Sequence, residues 1–299
     1  MRGRGGAVLA DLDRPPPMKG AWIVDQGAVD VTAAFRVTRR IHEERTPFQY
    51  LEVYESPLFG RMLVLDGAVQ TTEGDEFVYH EMLAHPALCT HPAPRHVLII
   101  GGGDGGLLEE VLKHPVERVT MVEIDEAVIR AGREYLPAIC GRAFEDPRTA
   151  LVIGDGIAYV RETTDQFDVV LIDSTDPEGP AIGLFAEEFY AQVARRLGPD
   201  GMVVAQSGSA VYQQELVRMV RRHLRPSFPV IRTCVATVMA YPGVLWSFTI
   251  GSLAPDPARV RDVDIARRVA GFALKYYTPS RHHAAFDLPP YLRGDIEAE

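Results

Sequence analysis

The first part of the chain has the polar and apolar alternation of β-strands. Residues 35–41 (FRVTRRI) alternate, residues 48–56 (FQYLEVYES) form a β-rich run, and residues 61–72 (RMLVLDGAVQTT) predict two strands. Asp66-Gly67 in the last run is typical of a two-residue hairpin turn, in which both residues take positive φ. The pattern predicts a small antiparallel β module, and we place it at residues 18–72.

The pattern then changes to a single helix followed by alternating strands and helices. Residues 73–89 carry apolar side chains at helical spacing, and Pro92 and Pro94 end this predicted helix. From His96 onward, strands and helices alternate at intervals of roughly 20 to 30 residues, which is typical of βαβ units and a parallel sheet. The later predicted elements are helices at 186–197 and 212–224, strands at 202–206, 231–238 and 245–250, and a helix over 257–274.

Four of the predicted strands run into a carboxylate at their downstream ends. These acids are Asp104, Glu123, Asp155 and Asp173, and Asp176 follows soon after the last one. Ligands of an open parallel sheet bind beyond the carboxyl ends of its strands, so we expect all five side chains at one cleft. A single acid in such a place is about as often only a helix N-cap or a turn residue. As a set without an interleaved Lys or Arg, they favour a cationic substrate.

Composition and charge narrow the class of protein. The 299 residues are 46% hydrophobic and carry a net charge of −10, which permits a full core and argues against nucleic acid or anionic membrane as partner. The three cysteines lie far apart without CxxC pairing, so we expect neither a disulfide framework nor a zinc site. The sequence shows no apolar run of membrane-spanning length and no signal-peptide core, and we expect a cytoplasmic protein.

The chain therefore divides into three predicted parts. Residues 1–17 contain charges and three prolines, and they predict a disordered extension, with Met18 as an alternative natural start. The β module at 18–72 follows, and one large α/β domain takes residues 73–299.

Residues 101–106 (GGGDGG) follow a predicted strand and open a predicted helix. Glycines permit a tight turn close to a ligand, and the helix N-terminus adds partial positive charge. The spacing satisfies GxGxxG, with Glu123 placed to take ribose hydroxyls, a pattern that NAD and S-adenosylmethionine enzymes share. Asp104 would repel a pyrophosphate and also the carboxylate of intact S-adenosylmethionine. Together with Asp155-Gly156, which suits an adenine amino group, it favours a nucleoside sulfonium that has an aminopropyl arm and no carboxylate.

Residues 173–180 (DSTDPEGP) predict an ordered loop over the sheet edge. A plain turn with capping acids would have the same composition. In the functional interpretation, Asp173 accepts a proton from an attacking amine and Asp176 binds the cation. A carboxylate in a partly closed, acid-rich site could have the raised pKa that suits a general base, although attraction to the cation opposes that shift.

Tyr79 and His80 are predicted to line the cleft. His80 and His85 are five residues apart and do not form the HExxH pattern, so we expect no metal site here. The remaining histidines that we considered are expected at the surface or as helix caps; they are His114, His223, His282 and His283.

These motifs resemble the polyamine aminopropyltransferase family, and its spermidine synthases most closely. The matching segments are GGGDGG, VEID, GDG, DSTDPEGPA, LVLDGAVQTTEGDEFVYHEML, AQSGS, LWSFTIGS and LKYYTPSRHHAAFDLP, between Trp22 and Leu292. The resemblance implies a β-hairpin domain joined to a Rossmann-like, methyltransferase-type domain in a homodimer or homotetramer. The implied reaction moves the aminopropyl group of decarboxylated S-adenosylmethionine to putrescine, gives spermidine and 5'-methylthioadenosine, and needs no metal or other cofactor.

The resemblance also implies roles for individual residues. The nucleoside would be held by Gln49, Glu123, Asp155, Gly156 and Pro180. Asp104 would bind the aminopropyl amine, and Asp173 would be the proton acceptor. The amine channel would be lined by Tyr79, His80, Asp176, Gln206 and Tyr241.

Some positions depart from the family pattern and leave the acceptor open. Residues 238–244 (VMAYPGV) differ on both sides of Tyr241, Glu109 stands where Arg is common, and Ile23-Val24-Asp25 stands where an aromatic residue and a Glu are typical. Agmatine, cadaverine or a longer amine such as spermidine therefore remains an alternative to putrescine. Other open functions are amine N-methylation with intact S-adenosylmethionine, and polyamine binding without catalysis. An NAD oxidoreductase is the weakest alternative, because nothing resembles a hydride-transfer acid.

Overall fold

The computed structural model describes residues 20–25, 31–177 and 179–297. The extension predicted for residues 1–17, together with the alternative start at Met18, lies outside these ranges. Within them, no helix combines the length and the hydropathy that crossing a membrane requires.

The N-terminal β module consists of two antiparallel sheets. Its strands are a ribbon of β1 (Ala21–Asp25) and β2 (Ala33–Val37), and a meander of β3 (Arg39–Arg45), β4 (Tyr50–Ser56), β5 (Gly60–Leu65) and β6 (Ala68–Thr72). The predicted hairpin between β5 and β6 is confirmed, since Asp66 and Gly67 have φ of 48° and 86°. The chain therefore turns within two residues and returns alongside β5.

The large domain is built on a seven-stranded sheet in the order β9-β8-β7-β10-β11-β13-β12. Its strands are β7 (His96–Gly101), β8 (Arg118–Glu123), β9 (Thr149–Ile153), β10 (Phe167–Asp173), β11 (Leu197–Ser209), β12 (Val230–Thr237) and β13 (Leu245–Ser252). Strands β7 to β11 run parallel, and β13 runs antiparallel to both of its neighbours. The predicted α/β class is confirmed. Strand order reverses between β7 and β10, the place where such sheets bind ligands.

Helices cover both faces of this sheet. They are α1 (Glu76–Thr90), α2 (Gly106–Leu112), α3 (Glu126–Tyr135), α4 (Pro137–Cys140), α5 (Gly156–Glu162), α6 (Glu187–Arg195), α7 (Gln214–Leu224), α8 (Asp262–Arg268), α9 (Pro279–Phe286) and α10 (Pro290–Glu297). Along β7, Val97 and Ile99 enter the core under α1 and α2, whereas Leu98 and Ile100 enter the core on the opposite face. Burial on both faces explains why the strands are continuously apolar rather than alternating.

The β module packs directly against the large domain. Leu51 and Val53 of β4 and Leu63 and Leu65 of β5 form one buried cluster with residues of α3 and α4. This apolar interface brings the loop before β4 close to the carboxyl end of β8. The two parts of the chain can therefore contribute to one site.

Helix α1 starts three residues later than the predicted position 73 because Asp75 is held in place. The Thr72 hydroxyl donates to Oδ1 of Asp75 at 2.6 Å, and the Ala240 N–H donates to Oδ2 at 2.7 Å. Most of α1 is buried, from Val78 to Cys89. The helix is therefore a fixed support for the side chains that it presents.

The helix predicted over residues 257–274 is only partly correct. A short 3-10 turn at Pro257–Arg259 and α8 occupy part of it, and Gly271 then takes a φ of 86°. Beyond it, the buried carboxylate of Glu81 accepts three successive backbone N–H groups, from Lys275 at 2.7 Å, Tyr276 at 3.0 Å and Tyr277 at 2.6 Å. Glu81 lies almost two hundred residues earlier, so this tertiary contact could not be read from local periodicity.

Two of the histidines expected at the surface are in fact buried. His114 Nε2 lies 3.0 Å from His85 Nδ1, and His85 Nε2 lies 3.0 Å from Glu110. His282 lies between the Tyr277 hydroxyl and the Pro257 carbonyl, each at 2.7 Å. Burial lowers the pKa of His85 to about 3 and that of His282 to about 4, so both are neutral at pH 7.

Replacing Glu81 with Gln tests its role in holding the segment after Gly271. The amide keeps the size but offers one acceptor oxygen and no charge to three N–H donors, so we expect a loss of about 2–4 kcal/mol in the free energy of unfolding. Denaturant unfolding measures this loss. Glu117→Gln, at a side chain that is 58% exposed, is the matched control and should change stability by less than about 0.5 kcal/mol. Equal stability of the two variants would contradict the assignment.

Candidate active site

A cavity of about 780 Å³ opens at the carboxyl edge of the parallel strands. The β module forms one of its walls through β5, β6 and the loop before β4. The structure brings every predicted site residue to its lining: Gln49, Tyr79, His80, Asp104, Glu123, Asp155, Gly156, Asp173, Asp176, Pro180, Gln206 and Tyr241. The five acids, which follow the ends of four separate strands, therefore do meet at one place.

The cavity wall is strongly anionic. Asp25 and Asp66 of the β module join the five predicted acids, and the described lining residues include neither Lys nor Arg. The basic side chain among them is His80. A cavity of this charge attracts a cation and repels phosphate or carboxylate groups.

The glycine turn after β7 joins the ends of two strands. Gly101 has a φ of 83°, and a Cβ on it would lie 2.1 Å from the Asp173 carbonyl oxygen. The next N–H, that of Gly102, donates to the same oxygen at 2.9 Å. Glycine is required here because β7 must approach the end of β10 this closely, and the approach sets Asp173 beside the turn that carries Asp104.

Two of the acids also serve as turn or cap residues. Oδ1 of Asp104 accepts from the Gly106 N–H at 2.8 Å, and Oδ1 of Asp155 caps α5 by accepting from the Ile157 N–H at 2.8 Å. The capping interpretation is thus correct for Asp155, although its side chain still lines the cavity. Each carboxylate therefore accepts a backbone N–H through one oxygen while its residue lines the cavity.

Asp173 ends β10 with one oxygen bound and one free. Oδ1 accepts from the Tyr79 hydroxyl at 2.7 Å, while Oδ2 is buried and has no hydrogen-bond partner among the described residues. Burial, and then the charge of Asp104, raise the pKa of Asp173 to about 6, although His80 and the Tyr79 hydroxyl act in the opposite direction. At pH 7 this group is an anion that can take up a proton.

His80 is held between two carboxylates. Its Nδ1 lies 2.8 Å from Glu76 Oε2, and its Nε2 lies 3.6 Å from Asp104 Oδ1. Burial lowers the pKa of His80, but Asp104 and Glu76 outweigh that effect and raise it well above its ordinary value. A Cβ on Gly106 would meet the imidazole ring at 2.3 Å, so this glycine lets the cation approach Asp104.

Asp176 is oriented by two glutamine side chains. Gln213 donates to its Oδ2 at 2.7 Å and Gln206 approaches its Oδ1 at 3.4 Å. Gln206 also donates to the Ser174 carbonyl at 3.0 Å. Pro180 is exposed and lies in the 3-10 turn Gly179–Phe185. The residue before this turn, Glu178, lies outside the described residues.

An aromatic wall of Tyr79, Tyr241 and Trp246 also lines the cavity. The Tyr79 ring packs edge-on against Tyr241 and Phe248 at centroid distances of 5.7 Å and 5.2 Å, and Trp246 lies 4.6 Å from Tyr241. The Tyr241 hydroxyl donates to the Gln70 carbonyl at 2.6 Å. Burial raises the pKa of both tyrosines well above the usual value, so both phenols stay neutral. Such a wall suits the methylene chain of an amine.

Glu123 and Gln49 come from different parts of the chain and meet around Asp125. Oε1 of Glu123 accepts from the Asp125 N–H at 2.9 Å, and burial raises the pKa of Glu123 to about 7. The Gln49 amide donates to Oδ2 of Asp125 at 2.9 Å. Asp125 is buried, yet sequence reasoning did not select it.

Sequence reasoning missed three side chains that shape the site. Glu76 stands one helical turn before His80, so the i, i+4 spacing could have revealed it. Asp125 follows the strand end at Glu123 in the manner of an N-cap, a signal that points only to helix capping. No sequence pattern marks Gln213, which reaches Asp176 only through the fold.

Comparison with protein families identifies both parts of the chain. Residues 76–259 match the family described as "Spermine/spermidine synthase domain", and residues 22–73 match "Spermidine synthase tetramerisation domain". The resemblance predicted from the motifs is therefore confirmed.

Whole-length relatives agree with this. A polyamine aminopropyltransferase of Moorella thermoacetica is 46% identical over 94% of this chain and 98% of its own length, and one of Bacillus subtilis is 43% identical over 94% and 100%. A crystal structure of spermidine synthase in complex with the transition-state analogue AdoDATO superposes with a TM-score of 0.90 and 37% identity, covering 96% of this chain and 99% of that one. A crystal structure of spermidine synthase from Thermotoga maritima superposes with a TM-score of 0.88 and 36% identity, and the match covers 98% of this chain and 100% of that one. The Rossmann-like, methyltransferase-type fold that the resemblance implied is confirmed.

The charge state of His80 can be tested directly. We expect an imidazolium at pH 7, and we expect Glu76→Gln to lower the pKa of His80 because one of the two carboxylates that raise it is lost. Nitrogen chemical shifts of histidine-labelled protein, followed through a pH titration, measure this. His85, whose pKa burial lowers to about 3, is the internal control and should stay neutral in both proteins. A neutral His80 at pH 7 in the unmodified protein would contradict the assignment.

Proposed function

This chain belongs to the polyamine aminopropyltransferase family, and we propose that its acceptor is putrescine. In that reaction, decarboxylated S-adenosylmethionine donates its aminopropyl group, and the products are spermidine and 5'-methylthioadenosine. The observation that carries the proposal is the pairing of Asp104 and the free Oδ2 of Asp173 in an anionic cavity whose described lining has no Lys or Arg. Both proposed reactants carry positive charge.

We infer that the donor binds along the glycine turn. Asp104 would take the ammonium of the aminopropyl arm, and Glu123 would accept hydrogen bonds from the ribose. The adenine side would contact Asp155, Gly156 and Pro180, and Gln49 would approach from the β module. A carboxylate on the donor would lie beside Asp104, so the electrostatics favour the decarboxylated form.

We assign Asp173 as the proton acceptor. The attacking amine nitrogen forms a bond to the aminopropyl carbon, the carbon–sulfur bond breaks, and its electron pair neutralises the sulfonium to a thioether. The ammonium product of that attack gives its extra proton to Oδ2 of Asp173. Tyr79 fixes the carboxylate through Oδ1. Most of the acceleration would come from alignment of the two substrates, which can supply about 7–11 kcal/mol.

The acceptor would lie between the aromatic wall and Asp176. Tyr79 and Tyr241 provide apolar surface for four methylene groups, and Asp176 and Gln206 provide polar contacts beyond it. The His80 imidazolium is already paired with Asp104 and Glu76, so its repulsion of a second cation is reduced. Agmatine, cadaverine and spermidine differ in length or head group and are the alternative acceptors.

We also propose that the chain works as a homodimer or homotetramer, because its β module matches the family's tetramerisation domain. A cytoplasmic location stays a prediction from the sequence.

An acceptor survey tests the proposed reaction. With decarboxylated S-adenosylmethionine, we expect putrescine to give the highest kcat/KM among putrescine, cadaverine, agmatine, spermidine and spermine, measured as release of 5'-methylthioadenosine. Intact S-adenosylmethionine is the control donor and should give no transfer. A preference for another amine would overturn only the assignment of putrescine as the acceptor. Methyl transfer from the intact donor, or no turnover with any of the five amines, would overturn aminopropyl transfer.

Asp173→Asn tests the proton acceptor. We expect kcat to fall by about 10²- to 10⁴-fold, the usual contribution of a general base, while the affinity for 5'-methylthioadenosine stays within about twofold. In the unmodified enzyme, kcat/KM should rise with pH because the amine must lose a proton, and more steeply below pH 6, because Asp173, whose pKa is about 6, is also protonated there. The variant should lose this extra steepness. An unchanged profile in the variant would rule out Asp173 as the base.

A further inference from the structure

The loop before β4 contacts the segment after β8 through one buried carboxylate, that of Asp125. Its Oδ2 accepts from the Thr46 hydroxyl at 2.8 Å and from the Gln49 side-chain amide at 2.9 Å. Its Oδ1 accepts from the Ala127 N–H at 3.0 Å and so caps α3. The residue is only 3% exposed. One acid thus joins donors from the two parts of the chain.

This contact decides which way the Gln49 amide points. A carboxylate accepts hydrogen bonds and donates none, so the NH₂ group of Gln49 must face Asp125. The carbonyl oxygen Oε1 is then left on the other side, and no described protein group donates to it. Because Gln49 lines the cavity, that oxygen is an acceptor for a ligand.

Asp125 orients a second acceptor at the same time. Its backbone N–H donates to Oε1 of Glu123 at 2.9 Å, and Glu123 lines the same cavity. Both groups that Asp125 holds therefore present oxygen acceptors. The ligand chemistry that complements two acceptors is a pair of donors, such as the two hydroxyls of a ribose.

We propose that Asp125 is a positioning residue for the nucleoside: it fixes the polarity of Gln49 so that the β module accepts a hydrogen bond from one ribose hydroxyl, while Glu123 accepts from the other. This inference rests on the proposed nucleoside donor. It gives the β module a direct part in substrate binding, because Thr46 and Gln49 both belong to the turn before β4. The alternative is that Asp125 only caps α3 and holds the two parts of the chain together.

The two interpretations predict different results for Asp125→Asn. Asn caps helices as well as Asp does, so α3 should keep its cap. The Asn NH₂ group would face the Gln49 NH₂ group, and Gln49 would have to turn and present a donor to the ribose instead of an acceptor. We expect the affinity for 5'-methylthioadenosine to fall about tenfold, the effect of one mispaired buried polar group. The thermal midpoint should change little.

A double-mutant cycle isolates the coupling. Gln49→Met keeps the length of the side chain without its amide and should also weaken 5'-methylthioadenosine binding about tenfold. If Asp125 acts through Gln49, adding Asp125→Asn to Gln49→Met should change the affinity by less than about twofold. Calorimetry measures each affinity. Asp256→Asn is the matched control, because Asp256 also caps a turn at Ala258 and accepts from Arg232, away from the cavity lining, and it should leave binding unchanged.

The ligand offers a second measurement that does not depend on how the Asp125 variant folds. The 2'-deoxy and 3'-deoxy forms of 5'-methylthioadenosine each lack one ribose donor. Each of them should bind the unmodified protein about tenfold more weakly than the full nucleoside. The penalty for the hydroxyl that Gln49 accepts should disappear in Gln49→Met, whereas the penalty for the hydroxyl that Glu123 accepts should remain.

Additive losses in the cycle, or two deoxy penalties that both persist unchanged in Gln49→Met, would overturn the positioning role. An unmodified protein that does not bind 5'-methylthioadenosine at all would instead overturn the proposed donor.

Discussion

The structure depends on holding several carboxylates together at one edge of a parallel sheet, with Asp104 and Glu123 buried. Backbone N–H groups do most of this: those of Gly106, Asp125 and Ile157 donate to Asp104, Glu123 and Asp155 respectively. The His80 imidazolium adds one positive charge next to Asp104. Because dipoles and a single cation stabilise the acids without Lys or Arg in the described lining, the cavity stays anionic and ready for cationic substrates.

Helix α1 connects this site to two later segments of the chain. Asp75 at its start holds the Ala240 backbone, Tyr79 and His80 face the cavity, and Glu81 on another side holds the segment after Gly271. A buried helix cannot shift without disturbing all of these contacts, since protein interiors are close-packed. The rigidity of α1 is thus the means by which the phenol of Tyr79 stays on Asp173.

Much of the fold follows from local patterns. The hairpin at Asp66-Gly67 requires only two residues that tolerate positive φ. The parallel strands that end in acids could be predicted from their short apolar runs and from the alternation of strands and helices. The prediction failed where a distant partner decides the path. Residues 275–277, just beyond the helix predicted over 257–274, are held by the carboxylate of Glu81, which accepts their N–H groups, and His114 is buried against His85. Neither contact leaves a local signal.

The same division holds for the site. Residue types, spacing and strand ends were enough to select Asp104, Glu123, Asp173 and their neighbours, because parallel strands bring their carboxyl ends to one edge whatever the details of packing. Only the tertiary structure decided that Oδ2 of Asp173 has no hydrogen-bond partner among the described residues, that the pKa of Asp173 is raised to about 6, and that Asp125 accepts from the Gln49 amide. Those properties depend on burial and on partners tens of residues away, and electrostatic interactions of that kind vary with distances that no sequence pattern specifies.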